Sequence, residues 1–287
     1  MIGNRKYWKS YAKEFLQGKW GTAILCMLAA PLMNTLGLMA ANGLFPGTDF
    51  LSWILGEAFL LIVSLLSMIV STGYNYMLLN MARGREYRIL DLVCMFRKGS
   101  DGVLTAGLIM SVIDTVLMVP FYYLVNTTEP AGTTAAAFYE WMQPIMFAMA
   151  AATLLSVLIK LPFAMAFYVL ADEPEMKGIQ ALKESMKLMK GHIFQYFVLQ
   201  ISFLPLMVLS LFTFYIGLLW LMPYMYGSFT AFYMDVTGEL AQRQERRTRE
   251  MTGWMPQGLQ IPGETGNSGD NRTAKEHRTG DDYDSEA

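Results

Sequence analysis

The hydrophobic pattern of the chain divides it into six long apolar stretches separated by short polar segments. A helix that crosses the ~30 Å hydrocarbon core needs about 20 mostly apolar residues, because all its backbone polar groups must be paired within the segment. The first stretch exceeds the ~7–15 apolar residues of a signal peptide, so we interpret it as a retained span. The pattern predicts an all-α, multi-pass membrane protein with transmembrane helices over about residues 21–44, 51–79, 103–124, 142–170, 193–211 and 215–233.

Three of the polar segments carry apolar residues at helical spacing and basic residues on the other faces, as in helices that lie in the membrane interface. Each segment ends at a glycine, Gly18, Gly99 or Gly191. We interpret the chain as three units, each an interfacial helix, a glycine and a two-span hairpin. An internal duplication and unrelated amphipathic linkers both account for this plan. The apolar positions are Trp8, Tyr11, Ala12, Phe15 and Leu16, then Leu90, Val93, Cys94 and Phe96, then Ile179, Leu182, Met186 and Met189.

The distribution of the 22 Lys and Arg residues predicts the orientation. Five precede the first span, five separate the second from the third, four separate the fourth from the fifth, and seven follow the sixth. By the positive-inside rule, this places both termini in the cytoplasm. Residues 194–232 carry no charge, and two short crossings that turn near Thr213 to Gly217 keep the basic tail on the same side. The chain is thus divided into a cytoplasmic amphipathic helix (1–20), a six-span domain (21–235) and a tail (236–287).

The tail differs in composition from the rest of the chain, with 7 basic and 10 acidic residues and few apolar ones. Such a segment cannot bury enough apolar surface to fold alone. We predict a disordered cytoplasmic tail over residues 236–287, with the alternative that Glu239 to Arg249 prolong the last helix.

The composition excludes several classes of protein. With 54% hydrophobic and 16% charged residues and a mean hydropathy of +0.31, the chain is too apolar for an ordinary soluble domain. Two cysteines and two histidines argue against a disulfide framework and a zinc site. Phosphate-loop, metalloprotease and serine-hydrolase motifs are absent from the sequence. We therefore expect no catalytic, cofactor-binding or metal-binding residues, no enzyme activity and no nucleic-acid partner.

Three ionisable residues, Glu57, Asp114 and Lys160, fall within predicted spans, where such side chains are costly. At 1.5 Å per residue, Asp114 and Lys160 both lie about 16 Å from the cytoplasmic boundary. Their opposite charges at one depth predict an ion pair. The alternatives are a snorkelling lysine beside a capping aspartate, and an ion or proton transport site. Glu57 is close enough to the outer end of its span to reach the interface.

A family resemblance rests on three stretches: Ala12–Gly21 (AKEFLQGKWG), the segment ARGREYRILDLVCMFRKG that ends at Gly99, and Leu170–Val236. The chain resembles, over about residues 5–236, the bacterial integral membrane proteins of domain-of-unknown-function family 975, which occur mainly in Gram-positive lineages. It departs from the family pattern at Leu204-Pro205 and in the turn after Thr213. The resemblance implies a multi-pass bacterial membrane protein and no particular activity. Its most specific residues are Ala181, Ser185, Met189, Lys190, Gly191, Pro223, Tyr224, Phe232 and Tyr233.

Together, these observations predict a non-enzymatic component of the bacterial plasma membrane or envelope that binds lipid or a partner protein. Anionic lipids at the cytoplasmic face are the expected partners, because each Lys or Arg near an anionic leaflet is worth about 1 kcal/mol. The alternative is a small transporter or permease component that uses Asp114 and Lys160, with spans bent at proline residues. The candidate lipid contacts are Arg5, Lys6, Lys9, Lys13, Arg97, Lys98, Lys183, Lys187 and Lys190.

Overall fold

The computed structural model describes residues 4–47 and 49–253, and these residues form α-helices without any β-strand. Two 3-10 helices, Ile89–Val93 and Leu161–Phe163, interrupt the series. The α-helices, numbered along the chain, are α1 (Arg5–Leu16), α2 (Trp20–Met27), α3 (Ala29–Leu44), α4 (Phe50–Arg83), α5 (Met95–Lys98), α6 (Ser100–Thr127), α7 (Ala135–Lys160), α8 (Ala166–Asp172), α9 (Gly178–Met189), α10 (Ile193–Ile201), α11 (Leu204–Phe212), α12 (Leu218–Val236) and α13 (Glu239–Gly253).

Five helical stretches in the described part of the chain are long and apolar enough to cross a membrane. They begin and end close to the first five predicted spans. Helix α12 coincides with the sixth, but it is not among the five, because its Tyr, Ser and Thr residues lower its mean hydropathy. The five stretches are Trp20–Leu44, Phe50–Arg83, Ser100–Thr127, Ala135–Asp172 and Ile193–Phe212.

The turn between α11 and α12 falls at residues 213–217, where the charge argument predicts it. Phe214 and Tyr215 have φ values of 50° and 65°, in the left-handed region that non-glycine residues rarely adopt. Two such residues in succession cannot continue an α-helix. The uncharged segment 194–232 is therefore not one long helix.

Three of the five long stretches consist of two helices, with breaks at Leu28, at residues 161–165 and at Ser202–Phe203. A break in an apolar environment leaves backbone groups that need partners. At the second break, Ser185 of α9 supplies a donor and an acceptor. Its hydroxyl donates to the Pro162 carbonyl at 2.9 Å and accepts from the Met165 amide at 3.2 Å. The Ser185 side chain is fully buried.

The apolar face of α1 is covered by protein, which corrects the expectation that it faces lipid. Trp8 stands edge-on to Phe232 of α12 with ring centroids 4.9 Å apart, and its indole Nε1 donates to Asp235 Oδ2 at 3.0 Å. Gly227 of α12 allows the close approach, since a Cβ there would press on Phe15 and Leu16. Sequence periodicity correctly identifies an apolar face but does not say what covers it.

The other two predicted interfacial helices also differ from expectation. In α9, Leu182 and Met189 are buried in the bundle, whereas Ile179 and Met186 are exposed. Residues 89–98 form a 3-10 helix followed by the single turn of α5, not one amphipathic helix. Of the three glycines, Gly18 and Gly191 have positive φ after α1 and α9, while Gly99 is extended and lies against the Pro174 carbonyl, where a Cβ would not fit.

The C-terminal segment differs from the predicted disorder over 236–287, because Glu239–Gly253 is helical. Gly238, with a φ of 77°, separates this helix from α12, and Arg243 pairs with Glu239 one turn earlier at 2.9 Å. The described residues up to Gln244 belong to one compact unit, and residues 245–253 complete α13 in a second unit. The rest of the predicted tail, 254–287, lies outside the described residues.

Substitution Ser185→Ala is expected to destabilise the protein by about 1–3 kcal/mol, because the buried Met165 amide and the partly buried Pro162 carbonyl lose their hydrogen-bond partner. The thermal unfolding midpoint in detergent measures this. Ser10→Ala is the matched control, since Ser10 is exposed and donates only to a carbonyl of its own helix, that of Tyr7. Equal midpoints for the two variants would contradict the role of Ser185.

Candidate functional site

A stripe of uncharged polar residues runs along one side of α4, with Ser67 and Asn75 buried and Ser64 and Ser71 exposed. Ser64, Ser67, Ser71 and Asn75 follow one another at intervals of three and four residues, so they share one face of the helix. Asn34 of α3 joins the stripe by donating from its amide to Ser67 Oγ at 2.9 Å, and Ser67 donates to the Ala30 carbonyl at 3.2 Å.

Two neighbouring cavities of about 620 and 240 Å³ lie against this stripe. The larger lies within the ~300–1,000 Å³ range of small-molecule sites. Its opposite wall is aromatic, and no charged side chain is among the described residues that line either cavity. Six residues line both cavities: Asn34, Ser67, Ser71, Asn75, Met222 and Tyr226. The aromatic wall consists of Phe167, Tyr168, Tyr196, Tyr226 and Phe229.

Two residues of the cavity walls each have a polar atom that lies below the accessible surface and has no hydrogen-bond partner, Tyr74 Oη and Asn75 Oδ1. Tyr74 lines the smaller cavity and Asn75 lines both. Buried polar groups in proteins are normally paired, and each exception requires an explanation.

Sequence reasoning missed this site because it considered ionisable residues within the spans. The available signal was the spacing of Ser64, Ser67, Ser71 and Asn75, which places neutral polar residues on one side of an otherwise apolar span. Neutral polar side chains add little to the free energy of placing an apolar helix in a membrane. The sequence therefore does not mark them as clearly as it marks a charged residue.

The structure brings Asp114 and Lys160 together between α6 and α7. The Lys160 ammonium lies 2.8 Å from Asp114 Oδ1 and 3.0 Å from Oδ2, and Ser156, one turn before the lysine, donates to Oδ1 at 2.6 Å. The side chains remain 44% (Asp114) and 35% (Lys160) exposed. Glu57 is exposed near the start of α4, and none of the three line the two cavities.

If Asp114 and Lys160 stabilise each other, Asp114→Ala and Lys160→Ala should each lower the thermal unfolding midpoint more than the double substitution, since a lone charge among apolar helices is the costly state. We expect a coupling energy of about 1 kcal/mol from the double-mutant cycle. Glu57→Ala is the control for loss of an exposed charge in a long apolar helix. Additive effects of the two single substitutions would contradict the pairing role.

A second ionic cluster, not anticipated from the sequence, joins the ends of α4, α8 and α13. The Arg83 guanidinium forms a bidentate ion pair with Asp172, with Nη1–Oδ1 and Nη2–Oδ2 distances of 2.5 and 2.8 Å. Its Nη2 also lies 2.8 Å from Glu239 Oε2. Arg243 pairs with the same Glu239 and donates to the Arg83 carbonyl at 3.4 Å. The Arg83 side chain is only 9% exposed. The cluster places the ends of these three helices at one end of the bundle.

Arg83→Lys should destabilise the protein by about 3 kcal/mol. A lysine ammonium cannot replace the bidentate contacts of the guanidinium with both Asp172 and Glu239, so one partly buried carboxylate loses its partner. Thermal unfolding in detergent measures the loss. Arg85→Lys provides the same chemical change at an exposed position two residues away. A midpoint for Arg83→Lys equal to that of Arg85→Lys would show that the cluster contributes little.

The predicted lipid-contacting residues fall into two groups. Lys9 is partly buried: its ammonium donates to the Ser202 carbonyl at 3.1 Å and lies 4.0 Å from the ring centre of Phe203. Burial, with repulsion from Arg5 and Lys13, lowers the pKa of Lys9. Lys187 is exposed and pairs with Glu184 at 2.8 Å. The remaining candidates have exposed side chains: Arg5, Lys6, Lys13, Arg97, Lys98, Lys183 and Lys190.

Lys13 lies at the end of an apolar groove of about 280 Å³ between α11 and α12. Its ammonium is 5.4 Å from the ring centre of Tyr224, and Trp20 also lines the groove. From Leu206 to Thr213 the groove follows α11 for about 10 Å at 1.5 Å per residue. The other lining residues are Leu209, Ser210, Gly217, Trp220 and Leu221.

Comparison with known proteins identifies the family. The model of the family described as "Protein of unknown function (DUF975)" matches residues 1–239, so the chain belongs to that family, and the resemblance predicted from the sequence is confirmed. No curated protein and no solved structure matches the chain.

Proposed function

We propose that this protein is a non-enzymatic, multi-pass component of the bacterial plasma membrane that binds anionic lipid at its cytoplasmic face. The observation that carries the proposal is the apolar groove with Lys13 at one end. An acyl chain fits the apolar walls, and the lysine ammonium complements an anionic headgroup. Trp20, which also lines the groove, suits the boundary between the headgroups and the hydrocarbon core.

The proposal of six crossings agrees with the contact between α1 and the end of α12. Trp8, before the first apolar stretch, donates to Asp235, at the end of α12. This contact supports an even number of crossings, because it brings the segment before the first apolar stretch to the end of α12. Five apolar stretches together with α12 give six. The clustering of basic residues at that same side supports its assignment to the cytoplasm.

The burial of the apolar face of α1 changes how lipid would be held. The helix does not insert its own face into the bilayer, because that face packs on α12. Its role in the proposal is to hold Lys13 at the end of the groove, beside Tyr224. Exposed Arg5 and Lys6 add positive charge near the same surface.

Lys13→Gln should reduce the preference for phosphatidylglycerol over phosphatidylcholine about fivefold, the equivalent of the ~1 kcal/mol that one basic residue contributes near an anionic surface. Native mass spectrometry of the full chain in mixed nanodiscs gives the ratio of the two retained lipids. The matched control is Lys177→Gln, an exposed lysine outside the groove.

A second variant, Leu209→Trp, tests the groove itself, since the larger side chain occupies the space assigned to the acyl chain. It should lower the retention of both lipids without changing their ratio. If Lys13→Gln and Lys177→Gln give the same lipid ratio, the groove is not the anionic-lipid site.

Transport through Asp114 and Lys160 has weaker support than lipid binding. The two side chains pair with each other, Ser156 occupies a further position on the carboxylate, and neither residue lines the two polar cavities. A structural ion pair between α6 and α7 accounts for these contacts without a transported ion.

A further inference from the structure

The polar cavities open to the surface of the protein at Ser71 and Tyr226, which are exposed. From Ser64 to Asn75 the polar stripe extends about 16 Å along α4, at 1.5 Å per residue. These residues belong to the stretch Phe50–Arg83, which is long and apolar enough to cross a membrane. A polar cavity at this depth is maintained at the expense of apolar packing, as binding sites of membrane proteins often are.

Two interrupted helical stretches contribute to the cavity walls. Cys26 and Ala30, on either side of the break at Leu28, line the smaller cavity, and Ala164 and Phe167, after the 3-10 turn, line the larger. In membrane proteins, irregular backbone at such depth is tolerated where it lines a cavity, and interrupted helices recur at substrate sites.

The lining chemistry specifies the kind of ligand. As far as the described residues go, no charged side chain faces either cavity, so a charged ligand would be buried without a counter-charge. Hydroxyl and amide groups on the α4 side offer donors and acceptors, while rings such as Tyr196 and Phe229 form the other wall. A sugar ring combines hydroxyl groups at its edge with C–H groups on its faces and matches both walls.

We propose that these cavities bind an uncharged, hydroxyl-rich ligand of the size of a sugar ring. Ligand hydroxyls pair with the exposed hydroxyl of Ser71 and with the other hydroxyl and amide groups of the α4 stripe. The aromatic wall packs against the ring face. The same chemistry is present in a free monosaccharide and in the headgroup of a glycolipid.

The test uses the full chain, purified without sugar-based detergents, in phosphatidylcholine nanodiscs. Thermal unfolding is recorded with free glucose, with monoglucosyl-diacylglycerol in the bilayer, and with glucose 6-phosphate. We expect glucose, the glucolipid or both to raise the unfolding midpoint with saturation, and glucose 6-phosphate to bind at least tenfold more weakly. A shift with the glucolipid alone identifies the membrane as the source of the ligand.

Variants assign the binding to the cavity. Ser71→Leu and Asn75→Leu should weaken binding at least tenfold, and the milder Ser71→Ala several-fold, which keeps the test informative if a leucine variant fails to fold. Thr153→Leu is the control, because Thr153 is exposed on α7 and bonds only within its own helix. Absence of any shift with both glucose and glucolipid, or unchanged binding in folded Ser71→Leu, would overturn the proposal.

Discussion

The packing of α1 on α12 is the contact on which much of the rest depends. Trp8 fills a fully buried position against Phe232, and its indole satisfies one oxygen of a buried carboxylate, Asp235. This contact removes the apolar face of α1 from the surroundings, places the two ends of the bundle together and holds Lys13 over Tyr224. The groove proposed for lipid depends on it.

Much of the fold was predictable because apolar length and charge placement act locally. The limits of the apolar stretches follow from runs of hydrophobic residues, and the turn at 213–217 follows from the need to keep basic residues on one side. The contact of Asp114 with Lys160 follows from equal depth in adjacent antiparallel helices. Each of these inferences needs only distances along the chain.

The features that could not be predicted depend on contacts between distant segments. Periodicity shows that α1 has an apolar face, but lipid and α12 are equally apolar partners for it. Arg83 has the sequence position of an ordinary basic residue at the end of a span, and its pairing depends on Asp172 and Glu239 arriving from far along the chain. The cavity likewise requires α3, α4 and α12 to meet before their neutral polar residues become one surface.

The long sequence separation of these contacts has a consequence for biogenesis. The donor and acceptor of the Trp8–Asp235 hydrogen bond are 227 positions apart, and Arg83 and Glu239 are 156 apart. Membrane insertion proceeds from the N-terminus as the chain is synthesised, so α1 and the end of α4 emerge long before their partners exist. Until α12 has been synthesised, the apolar face of α1 lacks the partner that covers it, and α1 can pack on α12 only after residue 235 has been added. A chain truncated before α12 would leave this face without its cover permanently.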